Sequence, residues 1–199
     1  MSSTNRSSAR EWHLSDYYRT PKRDILLFLD KFLYDEKIDL NNRNYFILDP
    51  CAWWDETHYM SYPAALCEAW AIFDNITTND IRSESLAMFH KDFTLYEHKN
   101  RYDMVITNPP FNISQKIIEK SIQACKEWWF VIMLLRLNYF WWKIRQNFWK
   151  KNMPYRVYIH NKRICFTEDW KTDSIEYMHC VWKKWYNPKE TKLSLLYSF

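Results

Sequence analysis

Residues 102–111 read YDMVITNPPF. The first six, Tyr102 to Thr107, make a short apolar run, and the two prolines after Asn108 then remove two backbone donors and stop it. A buried strand is expected there, with its C-terminal end at Thr107. The prolines hold the residues before them extended, so the Asn108 amide and the Pro109 carbonyl are presented rigidly. Residues 112–127, NISQKIIEKSIQACKE, follow at once. They put Ile117, Ile118, Ile122 and Cys125 on one helical stripe, with Asn112 or Ser114 as the cap. FVIMLLRL at 130–137 is apolar throughout, as a strand covered on both faces must be. Strand, helix and strand in succession form a parallel β-α-β unit.

Working outward, YFILDP at 45–50 is a second buried strand, stopped by Asp49-Pro50, and AIFDNITTND at 71–80 holds a third, ending in Asn79-Asp80. Helices are expected over 21–34, where Pro21 opens the run Ile25, Leu26, Leu29, Leu33, and over 60–70. DFTLYE, 92–97, has no clear type. Downstream, KIRQNFWKK reads as a basic helix, YRVYIHN follows it, and KRICFTED, IEYMHCVWKKW and KLSLLYSF read as strands or hairpin arms. The pattern predicts one three-layer α/β domain over 17–199, with a mostly parallel sheet and an antiparallel C-terminal edge, after a flexible polar lead over 1–16.

Composition bounds the function. The chain has 199 residues, 47% hydrophobic and 26% charged, which excludes disordered and collagen-like classes. No apolar run is long enough to span a membrane, and the polar N-terminus lacks the apolar core of a secretory signal. Five cysteines, an odd number with no CxxC pair, read as reduced, mostly buried thiols in a cytoplasmic protein without a metal site. The net charge of +4 permits a nucleic-acid partner. From Lys143 to Arg163 seven basic residues (with Arg145, Lys150, Lys151, Arg156 and Lys162) occur with no acid, interleaved with Phe148, Trp149, Tyr155 and Tyr158. Such a segment suits phosphates and unstacked bases, and equally a solvated helix face.

Glycine is absent and tryptophan numbers 12. The pairs Trp53-Trp54, Trp128-Trp129 and Trp141-Trp142 fall where segments change character, at places where turns need positive φ or close backbone approach. We read many of these tryptophans as standing in glycine positions. At Trp12, Trp70, Trp149 and Trp182 the sequence does not separate this reading from an ordinary tryptophan.

In a parallel α/β sheet, ligands bind beyond the C-terminal ends of the strands. Asp49-Pro50, Asn79-Asp80 and Asn108-Pro109-Pro110-Phe111 mark three such ends. An acid after a second strand can accept ribose hydroxyls. The Asn108 side chain and Pro109 carbonyl offer two acceptors for an exocyclic amine, and Phe111 offers a face for a flat ring.

On these residues the chain resembles the S-adenosylmethionine-dependent amino-methyltransferases, most of all the small phage-type DNA adenine-N6 methyltransferases. NPPF at 108–111 matches their amine-binding motif, and DPCAWWDE at 49–56 is similar to their cofactor loop with Trp53 and Trp54 where glycines are expected. The resemblance implies a three-layer Rossmann-like methyltransferase fold and double-stranded DNA as partner, with RNA as a lesser option. It implies catalytic roles for Asn108, Pro109, Pro110 and Phe111. S-adenosyl-L-methionine would be bound by Tyr18, Thr20, Pro21, Asp49, Pro50, Cys51, Ala52, Asp80, Asp92 and Phe93. LLRLNYF, 134–140, resembles the segment lining the target pocket. Lys143, Arg145 and the basic residues of 150–163 would contact phosphates. RNA or protein-glutamine methylation, and an inactive binding protein that keeps the fold, are the alternatives.

Overall fold

A computed structural model describes residues 19–41, 45–53, 59–95, 97, 99–141, 143–166 and 175–198. In chain order its elements are α1 (Lys22–Glu36), β1 (Ile47–Asp49), α2 (Ser61–Glu68), β2 (Ile76–Asp80), β3 (Phe89–His90), β4 (Tyr102–Thr107), α3 (Ser114–Ala124), β5 (Cys125–Arg136), α4 (Gln146–Lys151), β6 (Arg156–His160), β7 (Tyr177–Lys183) and β8 (Lys192–Leu196). Short 3-10 turns lie at Leu137–Trp141 and Lys143–Arg145.

The strands form one sheet in the order β3-β2-β1-β4-β5-β7-β6-β8. Strand β7 runs antiparallel to both β5 and β6, and every other pairing is parallel. The antiparallel element of the C-terminal third is therefore an inner strand, and the outermost β8 is parallel to its neighbour. The sheet has a helical layer on each face. Ile25, Phe28, Leu29 and Phe32 of α1 and Leu66 of α2 pack on Ile47, Met104, Ile106 and Ile132. Ile117 and Ile118 of α3 and Phe148 of α4 pack on Leu48, Val105, Val131 and Met133. Alternate residues of β4 and β5 thus serve opposite cores, which is why both strands read as continuous apolar runs.

Several local expectations need correction. Neither Asn112 nor Ser114 caps α3: its N-cap is Ile113, without a side-chain bond. The Ser114 hydroxyl instead donates back to the Phe111 carbonyl at 2.9 Å. Cys125 opens β5 rather than closing the helix stripe. In KRICFTED, residues 163–166 form no strand, and 167–169 lie outside the described residues. All five cysteines are free, but only Cys125 and Cys180 are buried. Arg156 is not a phosphate contact. It is buried, with its guanidinium 3.0 Å from Asp35 and 2.8 Å from Glu36.

Three tryptophans occupy left-handed backbone: Trp70 (φ 71°), Trp128 (φ 67°) and Trp185 (φ 68°). Trp70 follows α2, where the Trp70 N–H reaches Cys67 O at 3.1 Å and the Ala71 N–H reaches Leu66 O at 2.9 Å. That is a Schellman cap whose left-handed position glycine normally fills. Trp128 sits at an irregularity of β5, and Trp185 is the third residue of the turn closed by Tyr186 N–H to Lys183 O. Their side chains add little packing, at 77%, 60% and 71% exposure. By contrast, Trp182 is buried and its indole N–H donates to Asn152 O at 2.9 Å, and Trp149 packs against Tyr139, Phe140 and Phe148. The structure thus divides residues the sequence left together. A β-carbon in this region costs ~1–2 kcal/mol, part of which glycine gives back as unfolded-chain entropy. The triple change Trp70→Gly, Trp128→Gly, Trp185→Gly is therefore expected to stabilise by ~2 kcal/mol, raising Tm by roughly 4–8 °C for a domain of this size. A thermal melt showing no gain would refute the glycine reading of these three positions.

Candidate active site

The chain order reverses between β1 and β4, which are neighbours in the sheet. A crevice is expected beyond their C-terminal ends. A cleft open to solvent lies there. Among the residues lining it are Thr20, Asp49, Pro50, Cys51, Asp80, Asp92, Phe93, Asn108 and Pro110. Nine residues singled out in the sequence are thus brought together from five separate segments. Pro21, Ala52, Pro109 and Phe111 do not line it: Pro21 caps α1, and Ala52 is buried with its N–H on Asn79 O at 2.9 Å. Tyr18 and Trp54 lie outside the described residues.

The cleft's floor is held by Asn79, which the sequence marks as a strand end but gives no role of its own. Asn79 Nδ2 donates to Pro50 O at 3.1 Å and to Lys91 O at 3.0 Å, while its Oδ1 accepts the Lys91 N–H at 3.2 Å. One side chain thereby ties the loop after β1 to the loop carrying Asp92 and Phe93. Its place beside Asp80 was the only signal. Asp80 is also not a bare acceptor. The Arg82 guanidinium donates to Oδ1 at 3.0 Å and Oδ2 at 2.9 Å, and the Arg82 N–H to Oδ1 at 2.9 Å. A carboxylate has about four lone-pair sites, so a ligand diol at Asp80 must share it with Arg82. Asp92 Oδ1 accepts the Thr94 N–H and hydroxyl at 2.8 and 2.7 Å, an Asx turn that fixes the loop.

Burial pushes the Asp49 carboxyl up to about 7, with Asp80 repelling in the same direction, and pushes Asp80 up to about 6. Across the cleft wall, the Tyr62 hydroxyl lies 3.1 Å from His179 Nε2, and His179 Nδ1 lies 3.0 Å from His160 Nε2. Burial lowers His160 to about 4 and takes His179 well below its ordinary value. The signs oppose. The raised acids contribute stability that is complete below their unfolded pKa near 4 and is lost as pH rises through 6 to 7. The depressed histidines contribute stability that is present above about 6.5 and is lost as pH falls toward 4. Asp49→Asn removes only the first effect. At ~1.4 kcal/mol per pH unit, its displacement to about 7 predicts a gain of order 4 kcal/mol at pH 8, shrinking as pH approaches 4. Melts of both proteins at pH 8 and pH 5 check this. A gain larger at pH 5 would mean that the folded protein favours the carboxylate.

Phe111 faces away from the cleft lining. Its ring packs with Leu134, Ile164 and Tyr177, and the Arg136 guanidinium carbon lies over it, 4.3 Å from the centroid. The loop is braced from below, where Ser114 Oγ and Tyr139 Oη lie 2.9 Å apart. Arg145 sits on the Tyr139 ring at 3.7 Å and donates to the Tyr139 carbonyl at 3.2 Å, joining the basic segment to this loop. Lys143, Lys150, Lys151 and Lys162 are exposed, and Arg163 pairs with Glu176 at 3.0 Å.

The cleft suits S-adenosylmethionine in its donor set. Asp80 could accept ribose hydroxyls, with Ile81, Phe93 and Ile113 around a flat ring and Asp92 at its edge. Asp49, Pro50 and Cys51 bound the opposite end, where Trp53 also lines the space. Among the described residues, no group of three or more His, Cys, Asp or Glu is placed to hold a metal, and no helix is long and apolar enough to cross a membrane.

No family profile matches the sequence, and no curated protein matches it. Solved structures share the fold at low identity. A candidate RNA methyltransferase from Pyrococcus horikoshii superposes with a TM-score of 0.60 at 15% identity, covering 88% of this chain and 90% of its own. The type IIG restriction endonuclease BpuSI gives 0.59 at 11% identity, over 86% of this chain and 26% of its own. A candidate class I S-adenosylmethionine-dependent methyltransferase from Listeria monocytogenes gives 0.58 at 14% identity, over 89% of this chain and 66% of its own. The chain thus has a Rossmann-type, methyltransferase-like fold, and it spans about two thirds of the Listeria protein and a quarter of BpuSI.

Proposed function

We propose that this protein transfers the methyl group of S-adenosylmethionine to the N6 amine of adenine in DNA. One observation carries the reading: Asn108 and Pro110 of NPPF open onto the same cleft as Asp49, Asp80 and Asp92. An amine held at Asn108 then lies beside the space that suits the cofactor, as in-line transfer requires. The cofactor, when bound, supplies an electrophilic methyl group. The chain's own residues orient and polarise. The Asn108 amide oxygen and the Pro109 carbonyl accept the two amine hydrogens, so the nitrogen lone pair is directed into the cleft. Thr20, Asp80, Asp92 and Phe93 hold the cofactor's nucleoside end, and Asp49 faces its cationic end. The adenine reaches this site by leaving the duplex stack, and Lys143, Arg145, Lys150 and Lys151 meet the phosphates. No nucleophilic side chain takes part.

The amine in RNA is the second reading, favoured by the fold shared with the candidate RNA methyltransferase from Pyrococcus horikoshii. One experiment tests both. The protein is incubated with S-adenosylmethionine and either unmethylated duplex DNA or RNA, and the digested nucleosides are quantified by mass spectrometry. N6-methyldeoxyadenosine above a no-enzyme control supports the proposal. Modified ribonucleosides alone move the reading to RNA, and no product from either refutes both.

A further inference from the structure

Arg136 is the last residue of β5, beside the end of β4 that carries Asn108 and Phe111. Its guanidinium lies over the Phe111 ring at 4.3 Å. That is the separation at which a planar group stacks on an aromatic face. Phe111 otherwise belongs to an apolar cluster with Leu134, Ile164 and Tyr177, so the face under Arg136 is covered by a charged, half-buried side chain. Arg136 Nε is buried without a hydrogen-bond partner, and among the described residues no carboxylate pairs with this guanidinium. Arginine has five N–H donors in a fork that fits phosphate. A buried donor left unsatisfied carries a penalty, which an arriving anion would remove.

We propose that Arg136 holds the place of the target base and exchanges it for a phosphate: the flanking phosphate of an incoming nucleotide draws the guanidinium off Phe111, and the base takes the vacated face. This rests on the adenine reading above and deepens it. It makes the substrate a nucleic acid rather than a protein glutamine, because a glutamine side chain brings neither a ring for Phe111 nor an anion for Arg136. It also explains how Phe111, buried and facing away from the cleft lining, becomes available to a base. Arg136 acts here as a specificity-determining residue; the amine acceptors remain Asn108 and Pro109.

The test compares two short single strands with a central 2-aminopurine. One has ordinary phosphates. In the other, the two linkages flanking the 2-aminopurine are neutral methylphosphonates. Anisotropy reads binding and 2-aminopurine emission reads entry of the base. Wild-type protein is expected to bind the charged strand roughly tenfold more tightly than the neutral one. Arg136→Ala loses this preference and binds the neutral strand at least as well as wild type, because nothing then covers Phe111. Arg136→Gln keeps a planar cover without charge; it loses the preference and gains nothing on the neutral strand. The same preference in wild type and both variants would overturn the role of Arg136 alone. Strand binding without any change in 2-aminopurine emission would overturn base entry, and with it the adenine reading. Should Arg136→Ala fail to fold, Arg136→Gln decides by the same ratio.

Discussion

Asn108→Ala is expected to lower the methyl-transfer rate roughly a thousandfold while leaving affinity for S-adenosylmethionine within about twofold. The two prolines after Asn108 fix its backbone, and Thr107 before it is fully buried in β4. In the proposed mechanism the amide is therefore held in place before the amine arrives. An amine nitrogen conjugated to a purine ring is a poor nucleophile until its hydrogens are held out of the ring plane. Alanine removes one of the two acceptors and leaves no side chain that reaches the same point. Cofactor affinity is spared because the acids proposed to hold it, Asp49, Asp80 and Asp92, stand on other segments. Asn108→Asp keeps an acceptor oxygen at the same reach and is expected to retain measurable turnover. Single-turnover kinetics with a cofactor titration separate the outcomes. Normal transfer by Asn108→Ala would refute the assignment, and parallel loss of cofactor affinity would make Asn108 a structural residue of the cleft.

Why these positions were readable, and others not, follows from the range of the forces involved. Strand β4 and the second half of β5 are covered on both faces, so their apolar runs mark them without reference to partners. The prolines at 109 and 110 act on the backbone next to them, and they announced the end of β4 as plainly in sequence as in structure. Strand β7 is equally apolar, but nothing in its residues says that it inserts between β5 and β6, since that depends on where the chain returns after α4. Arg156 looked like its exposed neighbours in a basic run. It is buried because Asp35 and Glu36, more than a hundred residues earlier, end α1 beside it. Ser114 looked like a helix cap, yet Tyr139 and the Phe111 carbonyl claim its hydroxyl. The same holds in the cleft. Asp80 was legible as an acid at a strand end and its engagement by Arg82 is local, but the cross-link through Asn79 exists only once the loops are folded together. Arg156 and Asn79 were missed because their partners are distant in sequence.

Trp53→Gly with Trp54→Gly is expected to raise the affinity for S-adenosylmethionine by at least about tenfold, and with it the turnover. Trp53 differs from Trp70, Trp128 and Trp185 in the way it departs from glycine. Among the described residues it is not one of those with positive φ, so its backbone stores no left-handed strain. Its effect lies in the side chain, which lines the cleft beside Asp49, Pro50 and Cys51, at the end left for the cofactor's amino-acid portion. An indole there fills space that a glycine loop would leave open, and it withholds backbone N–H groups that could otherwise approach a carboxylate closely. Trp54 lies outside the described residues and enters through the sequence, as the second glycine position of the same loop. The distinction yields two separable readouts. The exchange at 70, 128 and 185 raises Tm without changing affinity, whereas the exchange at 53 and 54 raises affinity with a smaller effect on Tm. Isothermal titration with S-adenosylmethionine on both sets of variants checks the pair. Unchanged affinity after the exchange at 53 and 54 would show that the indole leaves room for the ligand, and the tryptophans of this loop would then have to be explained as part of the binding surface.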